Sequence, residues 1–569
     1  MEKTHIQHFQ PSEFKLRLEN GIKSSMTVIR IPSYLLSDAS TVANLTLVGG
    51  ALVVITVIKI VISSHLRLRH RKKPKVDVPI LGLDANYAEA TNRYMQNLKD
   101  ILDEGYRKFR DGVYQIWGID GFLVIVSPKH VEELNAIGTD ALDLHAASQT
   151  RIIGDYEWQT IASQLLFHSV QVDLTRQIGN LIPGIDEEIE YARELYFPTS
   201  NHWTPFKVWP CMLKTMTLLV SRMTVGPELS RNEEWLATMT GWLHDLFAGG
   251  WELKTWSLAM RPIVARGLVP GIRRVWQHQA KAKAMLVPII RRRRAAGAEA
   301  QVRGLQWERP NDLLQYMSEN AAKLQPRKSD AFVAEMCLVV GFGALHATSM
   351  TLTNAIFDLA TMPRYQDVIR EEYLTKRMDS MVNGKESSLI NSMSKLDSFI
   401  KESQRLNPIN LSKSALDIFT LPGGLRSQAS FSRQVVKPIT LSSGLHLPSG
   451  THILTPTCMV SLDPKIYESP SEFKGLRFHE RREGASGSAT YRNQLTSTST
   501  EQMHFGFGRQ ACPGRFFGGT SIKCVILQLI QEFDLKLVDE KLGRPKNTIK
   551  GAMSFPSETA EVLIRHRKI

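Results

Sequence analysis

The chain has 569 residues, of which 43% are hydrophobic, 22% charged and 8% aromatic, proportions of a globular protein that argue against a mini-protein, a many-span membrane protein or disorder over most of the length. Lys and Arg outnumber Asp and Glu by 70 to 56, a formal charge of +14 that suits nucleic acid, anionic lipid or an acidic protein partner and by itself selects none of them. Five cysteines at wide spacing, without a Cys-x-x-Cys pair, argue against a disulfide framework and a structural zinc site.

The first predicted element is residues 41–62, TVANLTLVGGALVVITVIKIVI, about 22 residues that span roughly 33 Å as a helix and so match a bilayer. Arg67, Arg69, Arg71, Lys72, Lys73 and Lys75 follow it, and the positive-inside rule then places residues 1–40 in the lumen and the body of the chain in the cytosol. No small-residue cleavage site precedes the basic cluster, so the run reads as a single-pass anchor rather than a signal peptide. Residues 63–83, with Pro74, Pro79 and Gly82, form a stiff connector.

From residue 84 to 569 no low-complexity linker interrupts the chain. Apolar residues recur at three- and four-residue spacing around 235–247, 331–360, 395–406 and 516–533, and strand-like runs are few and short, at 434–441 and 452–457. The expected fold is mainly α with a small β part: one large helical domain, residues 84–569, behind the N-terminal transmembrane helix. The four arginines at 291–294 have no interleaved aromatics, so they read as a solvated helix end or a membrane-surface contact, with no nucleic-acid partner expected.

Three later segments carry chemistry. A long helix bears Gly341-Phe342-Gly343-Ala344-Leu345-His346-Ala347-Thr348-Ser349. Glu402 and Arg405 share a helix face at i and i+3, a spacing that on its own usually marks a surface salt bridge. In His504-Phe505-Gly506-Phe507-Gly508-Arg509-Gln510-Ala511-Cys512-Pro513-Gly514, a cysteine stands just before a helix. There the macrodipole and loop N–H groups lower a thiol's pKa and make it a metal ligand or nucleophile. Gly506 and Gly508 let the backbone lie flat against a planar ligand, and Arg509 offers a forked cation for a carboxylate.

Through Phe505, Gly508, Arg509, Cys512 and Gly514 this loop resembles the heme loop of the cytochrome P450 family. The resemblance implies that Cys512 is the axial iron ligand of heme b, that Arg509 pairs with a heme propionate and that Phe505 packs beside the thiolate. It implies a network of Glu402, Arg405 and Arg477 that holds the heme face together. It also implies that the helix at 341–349 crosses the distal face, where family members carry an acid–alcohol pair. Aligned on Ala344, the acid position is His346 and the usual threonine is Ala347, which leaves His346 and Thr348 as the proton-relay candidates. Gln171 stands where a second propionate partner is expected, and residues 413–428 have no counterpart in the family. The implied pocket includes the segment before Asp155, Phe342, Leu345, Met350, the stretch after Pro408 and residues 553–556.

The function so implied is a heme-thiolate monooxygenase of the endoplasmic reticulum membrane. It takes O2 and electrons from NADPH through a flavoprotein NADPH–cytochrome reductase, and oxidises a hydrophobic small molecule. Similarity of residues 221–235 to filamentous-fungal members points to a terpenoid or related secondary metabolite. Two alternatives are a reductase-independent heme-thiolate lyase or isomerase, supported by Ala347, and a heme-binding chain without turnover.

Overall fold

The computed structural model describes residues 74–567 except 75, 84–85, 119–120, 148–162, 257–259, 384–388, 409–429 and 551–552. The anchor expected at 41–62, the segment at 413–428 and the pocket stretch before Asp155 lie outside the described residues.

Sequence-local signals set the helix starts. Asn86 begins α1 (Tyr87–Lys108) by accepting from Glu89 N at 2.9 Å, a side-chain cap for an otherwise unpaired donor. The chain continues through α2 (Thr175–Tyr196), α3 (Val208–Val225), α4 (Glu233–Thr255), α5 (Pro270–Arg303) and α6 (Leu313–Lys323). Asn232 and Asp312 cap α4 and α6 in the same way, accepting from Trp235 N and Gln315 N at 2.9 and 2.8 Å.

Next comes α7 (Asp330–Thr361), capped by Ser329. Among the described residues it is the one helix long and apolar enough to cross a membrane, with a mean hydropathy of 1.6. A helix apolar on all sides must be buried in lipid or in protein; this one packs against α3, α5 and α6 and against two later helices, α8 (Ser394–Leu406) and α10 (Arg515–Glu532). Between these two lies the short α9 (Arg477–Glu483). Leu338, Leu352, Ile356 and Phe357 of α7 are fully buried, so the helix is the axis of the largest core cluster.

The small β part is a mixed six-stranded sheet of β1 (Ile80–Leu81), β2 (Val113–Gly118), β3 (Gly121–Val126), β4 (Leu142–Asp143), β5 (Ser430–Val435) and β6 (His452–Thr455), in spatial order β1-β2-β3-β6-β5-β4. A three-stranded sheet of Thr204–Lys207, Phe533–Leu537 and Glu561–His566 lies apart from it. The strand expected at 434–441 instead ends at Val435, because Lys437-Pro438 follows and proline has no N–H for the ladder. Opposite β6 the register of β5 shifts between Ser430 and Arg433, and Phe431 takes a positive φ of 53°. That combination is a bulge at the edge of the site described below.

The arginine block lies inside α5, well before the helix ends at Arg303, and so differs from the helix end expected for it. Arg292 pairs with Glu228, Arg293 with Asp312 at 2.9 Å, and Arg294 with Asp330 at 2.7 Å. Arg291 also reaches Asp330, at 3.7 Å. Arg293 is only 9% exposed. The block is therefore not a bare solvated end but an ion-pair joint that ties α5 to the starts of α6 and α7.

Candidate active site

α7 and α10 approach where a methyl added to Gly518 would lie 3.4 Å from Thr348 Cγ2. Beside this contact the two helices, β5 and the loop at 504–514 enclose a cavity of about 340 Å³, with walls mostly of aliphatic and aromatic side chains and with Cys512 among the lining residues. This is the concave, largely apolar form of a small-molecule site. The loop is closed by Cys512 N, which donates to Phe505 O at 2.7 Å. Gly506 and Gly508 take φ of 74° and 67°, values that only glycine adopts freely. A Cβ at Gly508 would also lie 1.8 Å from Asn135 Oδ1.

Cys512 faces this chamber, and burial pushes its thiol pKa up. The N–H groups of Gly514 and Arg515 and the charge of Arg515 oppose that rise without reversing it. The lowered pKa expected from the helix terminus is thus corrected, because desolvation of the sulfur outweighs the first-turn dipoles. A bound metal cation shifts this balance, since a coordinating thiol loses its proton.

On α7 the residues that line the chamber include Ala344, Ala347, Thr348 and Thr351, the i, i+3, i+4 and i+7 positions of one helix stripe. His346 is not among them. Its ring stacks on Trp209 of α3 at 6.3 Å and lies 6.4 Å from Phe247 of α4, on another side of α7. Burial holds its pKa down at about 4, so it is neutral. The expected relay through His346 is corrected accordingly: two residues along a helix turn a side chain roughly 200° away from Ala344. Thr348 does face the chamber, and its Oγ1 donates to Ala344 O at 2.5 Å and lies 3.2 Å from Leu345 O. Phe342 lines the cavity, whereas Leu345 and Met350 are 1% exposed and belong to the core.

Glu402, Arg405 and Arg477 come together. Glu402, fully buried, accepts Arg405 Nε and Nη2 at 2.8 Å each and Arg477 Nε at 3.1 Å. Lys474 N adds a fourth bond at 3.0 Å. The remaining guanidinium donors reach carbonyls of Ser461 and Pro470 from Arg405, both at 2.6 Å, and of Glu468 from Arg477 at 2.7 Å. The Tyr467 ring lies 4.9 Å from the Arg405 guanidinium. Two cations on one carboxylate, with their other N–H groups on carbonyls, satisfy the condition under which buried charge is tolerated.

Arg509 is placed differently from expectation. Its side chain is exposed and does not line the chamber. In the heme-loop pattern behind the resemblance, Phe-x-x-Gly-x-Arg-x-Cys-x-Gly, the arginine stands two residues before the cysteine, where this chain has Gln510. That glutamine does line the chamber and donates from Nε2 to Asp143 Oδ1 at 3.2 Å. Gln171, the open second partner, is exposed. The cation at the chamber wall is Arg433 of β5, which sequence reasoning passed over; residues 430 to 433 are all buried and all line the chamber, so no alternation of faces marks it. Arg433 is 4% exposed. Its guanidinium lies 4.3 Å from the Phe431 ring and donates to Ser432 O at 2.9 Å. It has no carboxylate in ion-pair contact among the described residues; burial lowers its pKa to about 10, with Asp143 acting in the opposite sense. His504 also lines the chamber, and its Nε2 has no hydrogen-bond partner among the described residues.

A sulfur donor, a flat glycine backbone, an orphaned imidazole nitrogen and a buried unpaired guanidinium fit a large planar metal cofactor with carboxylate arms. The residues that would hold heme are Cys512 at the iron and Arg433 at a carboxylate. Changing Arg433 to Leu should speed heme loss to an acceptor protein by about tenfold or more, the equivalent of one hydrogen bond to a charged group. Arg433→Lys should restore part of the retention, and unchanged loss from Arg433→Leu would remove Arg433 from the cofactor site.

Fold and chamber together define a protein with an apolar chamber bordered by two helices, where Cys512 and Arg433 would hold a planar cofactor. A model of the family described as cytochrome P450 matches residues 164–420 and 425–564, with its break inside the segment 413–428. Cytochrome P450 monooxygenase braC of Annulohypoxylon truncatum is 32% identical over 500 residues, 87% of this chain and 94% of that protein. Cytochrome P450 monooxygenase paxP of Penicillium paxilli is 30% identical over 469 residues, 82% of this chain and 85% of that protein. The solved structure of retinoic acid-bound cyanobacterial CYP120A1 covers 87% of this chain and 100% of its own with a TM-score of 0.59 at 15% identity, a likeness of fold. The chain belongs to the cytochrome P450 monooxygenase family.

Proposed function

We propose that this chain is a membrane-anchored heme-thiolate monooxygenase that oxidises a hydrophobic small molecule of the terpenoid or a related secondary-metabolite class. The observation that carries the reading is the chamber itself, in which Cys512 and the small-residue stripe of α7 border one mostly apolar space. When bound, heme b supplies activation of molecular oxygen at a thiolate-ligated iron, with electrons from NADPH through a flavoprotein reductase.

The protein residues have separate tasks. Cys512 holds the cofactor, with Phe505 and Gly514 shaping the backbone around it. Ala344 and Ala347 leave space on the α7 side, and Phe167, Val339 and Phe342 exclude water and orient an apolar substrate. Thr348 keeps a proton at Oγ1 inside the chamber, and to hand it on the hydroxyl must turn from Ala344 O. Glu402, Arg405 and Arg477 tie α8, whose Gln404 lines the chamber, to the segment at 461–477 and so would brace the cofactor site from behind. Support for attachment to the endoplasmic reticulum membrane, with the catalytic domain cytosolic, is the apolar run at 41–62 and the basic residues after it.

A second reading, a reductase-independent lyase or isomerase, is favoured by one observation: with Ala347 on the chamber face and His346 turned away, no acid–alcohol pair faces the cavity from α7. Reconstituted turnover separates the two. Conversion that requires NADPH, reductase and oxygen together supports the monooxygenase, and conversion in their absence supports the lyase.

A further inference from the structure

The loop at 492–497 is held from two sides by cations. From α8, Lys401, 2% exposed, donates from Nζ to Gln494 O at 2.5 Å and to Arg492 O and Ser497 O, both at 3.4 Å. Three carbonyls thus meet the three N–H bonds of one ammonium group. From α10, Arg515 donates from Nε to Thr496 O at 3.1 Å and from Nη1 to Cys512 O at 2.9 Å. Four carbonyls of one short loop therefore end on two cations, and the second cation also grips the carbonyl of the cysteine. There is little slack at this joint, since a Cβ on Gly519 would lie 3.0 Å from Thr496 Cγ2.

We propose that Lys401 is a positioning residue for Cys512, acting through the loop at 492–497 and Arg515 to fix the backbone that presents the sulfur. The proposal rests on the reading of Cys512 as the iron ligand. An ordinary buried lysine would anchor only its own helix; here the contact runs without a gap from α8 to the sulfur's own residue.

The charge of Lys401 is what the loop carbonyls bind, and that charge is not secure. Burial pushes its pKa down to about 7, against Asp397 on its own helix and with Arg482 and Arg481 of α9 adding to the fall. Asp397 is itself shared with Arg482 and Lys523 and accepts Leu495 N at 2.8 Å. The Phe478 ring lies 5.4 Å from Nζ, and His504, whose pKa burial holds at about 3, stays neutral. As pH rises through about 7 the neutral amine keeps two N–H bonds and no charge, so the hold on the loop weakens. Global stability moves the other way. The unfolded lysine stays protonated up to about 10.4, so above pH 7 the unfolded chain binds more protons and folding is favoured. A lysine that acted on the sulfur only through overall stability therefore predicts no faster loss of thiolate ligation with rising pH.

The test uses the full-length heme-loaded protein and its ferrous carbon monoxide spectrum, in which a red-shifted band reports thiolate ligation. In the wild type, conversion to the unshifted band should be about tenfold faster above pH 7 than below it. Lys401→Arg, which keeps the charge, should stay slow throughout, and Lys401→Met should be fast throughout. Arg515→Gln should abolish the pH step in the band while amide hydrogen exchange at 492–497 retains it, because the clamp then acts on a loop cut off from Cys512. A wild type without a pH step, or Lys401→Met with wild-type kinetics, overturns the proposal. A wild type that never shows the red-shifted band overturns the Cys512 reading and this proposal with it.

Discussion

Replacing Cys512 by alanine will abolish the red-shifted carbon monoxide band and oxygen-dependent turnover together, and leave the helical fold in place. The sulfur faces the chamber rather than the close-packed core, so deleting it should cost about 1 kcal/mol or less of stability. What is lost is the thiolate itself, supplied by the one cysteine among the described residues that line the cavity. Cys512→His should hold iron through nitrogen and give an unshifted band, separating cofactor retention from thiolate ligation. Turnover and a red-shifted band surviving in Cys512→Ala would refute the axial assignment.

Glu402→Ala should collapse heme incorporation. The carboxylate is fully buried between Arg405 and Arg477, and removing it strands two buried cations at a cost of about 3 to 5 kcal/mol. A surface pair at the same i, i+3 spacing would cost under about 1 kcal/mol. Heme content per chain and the urea midpoint both report the difference, and a Glu402→Ala protein with full heme content would show that the cluster does not support the cofactor.

The contact of Glu402 with Arg405 and the turn of the cysteine loop were legible because each is written locally, whereas the burial of the pair and any role toward a cofactor came only from the resemblance. Glu402 and Arg405 sit one helical turn apart, and the cysteine loop carries its glycines within a few residues. What was not legible depends on phase, register or distant partners. α7 is apolar on every side, so its pattern contains no signal for which stripe meets the chamber, and packing on Trp209 and Phe247 turns His346 away. Arg509 and Gln510 differ by one position beside a glycine of positive φ, where neighbouring side chains leave in different directions. Arg433 sits on a bulged strand whose pairing shifts at Ser430. Arg293 finds its carboxylate at Asp312, across the turn between two helices. The raised thiol pKa of Cys512 reflects burial by elements far apart in the chain, which a reading of its own helix terminus does not include.

The proposed reaction transfers one atom of molecular oxygen to an apolar substrate in the chamber beside Cys512. Its most direct test supplies full-length protein, reductase and NADPH with isotopically heavy oxygen gas and the apolar extract of a producing host in which the gene is disrupted. Mass spectrometry should find a product carrying the heavy oxygen, absent without NADPH and absent with Cys512→Ala. A product that forms equally well without NADPH, or whose new oxygen comes from water, would contradict the account.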